Sequence, residues 1–200
     1  MVNPTLYRNL VDAARTPGRL APFINELARV VAASDSPWAA GAWDEITTDL
    51  DRTRTWLRAF VDAAARRGAG LVWAEVPELE INPGQWSVSL TALRGGDASA
   101  DADPGADIMA FYWTLDALDL DGPELPLTGL ERLEGGFAAW AARGYPRDVD
   151  ADRPLVLAWA RYLKHMQDTA GDSDGPLWLC VTMHGPDEPQ WVTRVGPSAG

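Results

Sequence analysis

The sequence predicts an α+β fold: N-terminal helices followed by a mostly antiparallel sheet of about five strands, covered by helices on one face. In the first 70 residues the apolar side chains recur at helical spacing, whereas beyond Gly70 they alternate with polar ones, as in half-buried strands. Strands and helices do not alternate along the chain, which argues against a doubly wound or barrel α/β fold. Residues 1–200 are therefore treated as a single domain with a helical part, 1–70, and a sheet-containing part, 71–200.

Three helices are expected in the helical part. Asn3 and Pro4 form the N-cap and the first position of the first helix, because proline is favoured there. A Thr-Pro-Gly sequence breaks that helix, and from Leu20 a second one places apolar residues at i, i+3, i+4 and i+7. The third and longest helix is expected from about Trp43 to Arg67, where a glycine follows and ends it.

Three strands are expected after this helical part. They are Leu71–Val76, Gln85–Leu93 and Ile108–Asp116. The second alternates most regularly, with Val88 and Leu90 on one face and Ser87 and Ser89 on the other. Half-polar faces favour antiparallel pairing, because parallel sheets are buried on both faces.

Two helices and a hairpin complete the predicted order. Thr128 and Glu131 match a capping box at the start of the first helix. The second helix runs from about Pro154 to Ala170, and His165 falls on its polar side, which predicts a surface position. The last two strands form the hairpin: Leu177–His184 and Gln190–Val195.

One face of the predicted sheet carries the candidate site. If the apolar faces of all strands point inward, the opposite face collects aromatic rings, hydroxyls, two carboxylates and an imidazole. Rings supply contact area and polar groups fix orientation, as at recognition surfaces and in pockets. The residues expected to bind a ligand or partner are Trp73, Glu75, Tyr112, Asp116, Trp178 and His184. The alternative interpretation is the ordinary solvated face of an antiparallel sheet.

Charge limits the class of partner. The formal net charge is −12 and the pI about 4.5, which argues against binding to nucleic acid or to an anionic membrane surface. Residues 1–70 have nine arginines and eight acidic residues, a net of +1, so residues 71–200 account for −13. The expected partner is therefore a protein with a basic surface, and the alternative interpretation is that the acidity serves only solubility. The N-terminus resembles no secretory signal and no apolar run could span a bilayer, which predicts the cytoplasm.

Motifs of known chemistry do not occur in the sequence, and neither a catalytic residue nor a cofactor is predicted. One cysteine excludes an internal disulfide, and two histidines are too few for a histidine-rich metal centre. Asp101–Asp107 alternates carboxylates but lacks the glycine and glutamate of an EF-hand, so no metal is expected, although the acidic loop 95–107 leaves that question open. Cys180 and His184 would lie about 13 Å apart, too far for a nucleophile and its base.

The expected function is binding of another protein through the acidic part of the chain, without catalysis. An inhibitor or immunity-type neutraliser of a basic partner fits the size, the charge and the ten tryptophans, and an accessory subunit fits equally well. The alternative is a small-molecule binder or small enzyme that uses the Trp-, Tyr-, Ser- and His-lined face of the sheet.

Overall fold

The computed structural model confirms the α+β class with a mostly antiparallel sheet. It describes residues 3–34, 46–76, 86–94, 116–131, 142, 152–171, 175–183 and 190–197. The helices within these residues are α1 Pro4–Arg15, α2 Leu20–Ala32, α3 Leu50–Arg66 and α4 Asp152–Ala170. The strands are β1 Leu71–Val76, β2 Ser87–Arg94, β3 Asp116–Asp121, β4 Leu125–Pro126, β5 Leu177–Met183 and β6 Trp191–Val195.

The strands form one mixed sheet in the order β3-β2-β1-β5-β6, and the two-residue β4 also pairs with β2. β1 is antiparallel to β2, and β5 and β6 form the predicted hairpin. The central pair differs from the expectation, because β1 runs parallel to β5. Parallel strands are typically buried on both faces, and five of the six residues of β1 are indeed buried.

Alternate residues of the three central strands make the core face of the sheet. Each is at most 4% exposed: Val72, Ala74, Val76, Val88, Leu90, Ala92, Leu177, Leu179, Val181 and Met183. Full burial of one such Val, Leu or Met side chain stabilises a fold by about 1.5–3 kcal/mol. These buried residues therefore fix the register of the sheet, since a slip of one residue would move the apolar side chains of a strand to the opposite face.

Helix α1 starts where the sequence predicts. The side-chain oxygen of Asn3 accepts hydrogen bonds from the backbone N–H groups of Thr5 and Leu6, at 3.0 and 3.2 Å. The N-cap of α2 is Arg19, whose side chain makes no capping bond. Both helices bury an apolar stripe, which is Leu10, Ala13 and Ala14 in α1 and Leu20, Leu27 and Val31 in α2.

The prediction that the third helix starts near Trp43 is wrong, because α3 begins at Leu50. Residues 46–49 are not helical, and their polar groups are used elsewhere. The N–H of Thr47 donates to the carbonyl of Thr128 at 2.8 Å, and the N–H of Thr128 donates to the hydroxyl of Thr48 at 2.8 Å. Asp49 then caps the helix by accepting from two backbone N–H groups, 2.9 and 3.4 Å away.

The same contacts change the predicted capping box. The N–H of Thr128 is taken by Thr48, so the carboxylate of Glu131 accepts from the N–H of Gly129 instead, with both oxygens at 3.1 Å. Gly129 has a φ of +97°, a conformation that glycine adopts without strain.

The third strand also differs from the prediction. The sequence places it at Ile108–Asp116, whereas β3 spans Asp116–Asp121, and residues 108–115 lie outside the described residues. Leu118 and Leu120 continue the alternation of apolar and polar residues, and both are half-buried. Three aspartates accompany them, as is common in strands at the edge of a sheet.

Helix α4 is buried around its circumference. Five consecutive residues, 154–158, are buried, and successive residues of a helix point 100° apart. The predicted surface position of His165 is therefore wrong, since this side chain is only 9% exposed. Trp159 is half-buried and meets the ring of Tyr7 edge-to-face, with the ring centroids 6.3 Å apart.

The chain divides into two compact units of interleaved segments. The first comprises Met1–Thr48, Pro77–Trp86 and Pro126–Met166, and contains α1, α2 and most of α4. The second comprises Asp49–Val76, Ser87–Leu125 and Gln167–Gly200, and contains α3 with nearly all of the sheet. No helix in the described part of the chain has the length and apolarity that crossing a membrane requires.

Candidate binding face of the sheet

The face of the sheet opposite the core face, here the mixed face, carries the predicted site in the second unit. Its residues are Leu71, Trp73 and Glu75 on β1, Ser87, Ser89, Thr91 and Leu93 on β2, Trp178, Cys180 and Thr182 on β5, and Val192 and Arg194 on β6. Three predicted site residues, Trp73, Glu75 and Trp178, share this face. The register of β1 with both neighbours therefore places them as the sequence alternation predicts.

Among the other three predicted residues, the structure describes Asp116 alone. Tyr112 and His184 lie outside the described residues. The backbone of Asp116 pairs with Arg94, whereas Glu75 pairs with Ser89, five residues away along β2. At the usual rise that is about 16 Å, so the sheet does not bring Asp116 close to Glu75.

The mixed face changes from apolar to polar along the strands. Its first row runs Leu93–Leu71–Trp178–Arg194, and the second runs Thr91–Trp73–Cys180–Val192. The third row is Ser89–Glu75–Thr182. Aromatic and aliphatic side chains thus lie next to a polar row, in which the carboxylate of Glu75 is between the hydroxyl-bearing Ser89 and Thr182.

The apolar rows form a small cluster of their own. Leu71, Trp73, Leu93 and Cys180 are buried together, and the partly buried Trp178 and Val192 pack against them. Trp73 is only 9% exposed, so its ring fills this cluster and offers little surface to a partner. Of the two tryptophans described on this face, Trp178 is the one available for contact, because it is half-buried.

An arginine that the sequence analysis missed lies on that ring. The guanidinium carbon of Arg194 is 3.5 Å from the centroid of the Trp178 ring. One guanidinium nitrogen also donates to the carbonyl oxygen of Pro176 at 2.9 Å. The hairpin register explains the contact, because Trp178 and Arg194 are directly opposite each other. Both residues lie in strands that the sequence predicts. The sequence of the turn between these strands did not indicate which residues would be opposite each other.

The thiol of Cys180 is chemically quiet. The side chain has no exposed surface, and this burial raises the pKa of the Cys180 thiol far above its ordinary range. A buried protonated thiol is a poor nucleophile, since the thiolate is the reactive form. Cys180 therefore contributes packing to the mixed face.

The polar row uses its hydroxyl groups locally. The Ser89 hydroxyl donates to the backbone carbonyl of Glu75 at 3.4 Å, and the Thr182 hydroxyl donates to that of Met183 at 3.2 Å. At the start of β2, the buried Ser87 hydroxyl donates to a carboxylate oxygen of Glu124 at 2.7 Å. Glu124 comes from the exposed connection after β3, and no sequence pattern marked it.

Metal ligands do not gather on this face. Among the described residues, no group of three or more His, Cys, Asp or Glu side chains is placed to hold a metal ion. The acidic loop 95–107 lies outside those residues.

No family model, curated protein or solved structure matches this chain. The function must therefore be argued from the mixed face and from the charge of the chain.

Proposed function

We propose that this protein binds a partner protein that has a basic surface, without catalysis, as an inhibitor-type neutraliser or an accessory subunit. The observation that carries the proposal is the patch of Trp178, Val192 and Arg194 on the mixed face, within the strongly acidic part of the chain. The cytoplasm remains the predicted compartment.

The acidic part of the chain supports the first step, which is attraction over distance. Residues 71–200 have a net charge of −13, and such a field raises the association rate of an oppositely charged protein. The effect decreases with ionic strength, because charges more than about 8 Å apart are screened at physiological salt.

The patch supports the second step, which is short-range contact. Tryptophan and arginine are the residues most enriched among those that dominate binding energies. Arg194 is already fixed by the Trp178 ring and by the Pro176 carbonyl, so little side-chain entropy remains to be lost on binding. Arg194 is a cation, but this does not prevent binding to a basic partner. Attraction over distance depends on the net negative charge of the protein, whereas contact depends on the individual groups that meet.

A kinetic experiment tests both steps. A partner captured from the native host is purified, and its association and dissociation rates are measured at 20 and 500 mM salt. We expect association to slow at least tenfold at high salt, and Trp178→Ala to speed dissociation at least tenfold. Trp56→Phe, on α3, is the control. Salt-independent association, or dissociation that Trp178→Ala leaves unchanged, would refute the proposal.

The second candidate function, a small-molecule binder or small enzyme, rests on the polar row. Glu75 is half-buried between Ser89 and Thr182, and Trp73 is its neighbour on the same face. Such a carboxylate could orient a polar ligand against an aromatic ring. A panel of small molecules would then raise Tm of the protein but not of Glu75→Gln. If no compound shifts Tm, this candidate loses its support.

A further inference from the structure

The two outer strands of the sheet differ in how well they are protected against pairing with a strand of another chain. In the order β3-β2-β1-β5-β6, β3 and β6 are the outer strands of the described sheet. β3 carries three aspartates in six residues, and its register with β2 shifts between Thr91 and Leu93. Charges and register irregularities are the devices by which natural edge strands avoid pairing with other chains.

β6 shows neither device. Its sequence is Trp-Val-Thr-Arg-Val, with one charge and no proline, and all five residues pair with β5 without a register shift. Four of the five residues are only half-buried. An edge of this kind is a template for another strand, which supplies backbone hydrogen bonds along its length.

The sequence of β6 is complementary to itself. In antiparallel pairing about Thr193, the Trp191 of one copy lies opposite the Val195 of the other, and the two Thr193 residues lie opposite each other. Aromatic–β-branched pairs and Thr–Thr pairs are favourable cross-strand neighbours. Centring the pair on Arg194 would instead bring two guanidinium groups together and shorten the ladder.

Charge selects this edge and this register. With Thr193 at the centre, each Arg194 faces Val192 of the second copy, and no like charges are opposite each other. Pairing two copies of β3 would instead bring six aspartates to one junction, which is repulsive.

We propose that two copies of this chain associate through antiparallel pairing of their β6 strands about Thr193, which makes one continuous sheet across a two-fold axis. This goes beyond the proposed function, because it uses the backbone edge of β6, and its Arg194–Val192 pairs extend the mixed face into the second copy. One added strand pair buries less than the roughly 1,200 Å² of a standard interface, so the dimer is weak and depends on concentration.

Charge variants of Val192 test the pairing with the full-length chain. Val192→Glu would face Arg194 of the other copy, and Val192→Lys would set like charges opposite each other; both lose the same valine packing. In sedimentation equilibrium, the average mass of the unmodified chain should rise from 21.7 kDa toward twice that value with concentration. Val192→Glu should shift the midpoint at least threefold to lower concentration, and Val192→Lys at least threefold to higher concentration.

A disulfide test reports the register directly. Thr193→Cys places two cysteines opposite each other, whereas Val192→Cys places each opposite Arg194. We expect a mild oxidant to cross-link Thr193→Cys and not Val192→Cys. Cys180 has no exposed surface and does not interfere.

The results separate this proposal from the partner proposal. Dimerisation should strengthen with salt, because each copy has a net charge of −12, whereas binding to a basic protein should weaken. A mass that stays at 21.7 kDa at every concentration would refute the dimer. Equal shifts of the two Val192 charge variants, or equal cross-linking of both cysteine variants, would show that another surface or register is used and would equally refute it.

Discussion

At the scale of residues, the stacked pair of Trp178 and Arg194 connects folding to binding. The guanidinium lies 3.5 Å from the ring centroid and also bonds to the Pro176 carbonyl, so one side chain joins the start of β5 to β6. Lysine could keep the charge but not the planar stacking. The contact is therefore specific to arginine, although its register was not evident from the sequence.

Removing this arginine should destabilise the fold. We expect Arg194→Ala to lower the free energy of unfolding by about 1–2 kcal/mol, because it loses both a cation–π contact and a hydrogen bond. Arg194→Lys should recover only part of the loss. Urea unfolding measures the effect, and Arg58→Ala, at an exposed position of α3, is the control that should change it by less than about 0.5 kcal/mol. Equal effects of Arg194→Ala and Arg58→Ala would contradict this prediction.

Burial of Cys180 should make stability depend on alkaline pH. Because burial raises the pKa of this thiol in the folded state above its ordinary value of 9.0, the unfolded chain loses the proton first. The stability is fully present below pH 9 and decreases as the pH rises above it. Urea unfolding between pH 8 and 10.5 should show a steeper decrease for the unmodified chain than for Cys180→Ala. Parallel curves would mean that the thiol ionises equally in both states.

At the scale of elements, caps decide where the helices begin. The sequence correctly predicts the cap of α1, because Asn followed by Pro is a local signal. The signal for the start of α3 is not local, since Thr47 and Thr48 are held by Thr128, about eighty positions away. A helical pattern that continues upstream of Leu50 cannot reveal such a partner.

The cap of α3 should contribute measurably to stability. Asp49 accepts two backbone hydrogen bonds at the first turn, so Asp49→Ala should lower the free energy of unfolding by about 1 kcal/mol. Asp49→Asn keeps an acceptor oxygen and should retain most of that stability. Thermal unfolding of the three proteins checks this, and an Asn variant as unstable as the Ala variant would show that capping is not the cause.

The sheet shows which part of a site a sequence can predict. Alternation correctly placed Trp73, Glu75 and Trp178 on one face, because side chains on a strand have a period of two. It did not predict that Trp73 is buried, since its surroundings come from β2 and β5. Alternation also did not indicate that Asp116 pairs with Arg94, at the C-terminal end of β2 and away from Glu75.

At the scale of the whole molecule, the net charge of −12 opposes the compact state. We expect added sodium chloride to raise Tm by a few degrees at pH 7, because salt screens this repulsion. Near pH 4.5, close to the pI, the same salt should change Tm little. Differential scanning calorimetry at both pH values tests this, and an equal salt effect at pH 7 and 4.5 would contradict it.

The fold class followed from the sequence because it depends on hydrophobic periods that change at Gly70. The topology of the sheet did not follow. Antiparallel hairpins join neighbouring segments, but the central pair joins β1 to β5, about a hundred residues later. The composition of β1 or of β5 does not indicate a pairing partner so far away in the sequence.

This parallel pair also determines when the protein can fold during synthesis. The ribosome releases β1 and β2 long before β5, so the strand that flanks β1 on its other side is missing until Met183 has emerged. At roughly 5–20 residues per second, the hundred intervening residues take several seconds to translate. For that time the apolar side chains of β1 have no β5 beside them, and exposed apolar surface with an unpaired strand edge makes a nascent chain prone to aggregate.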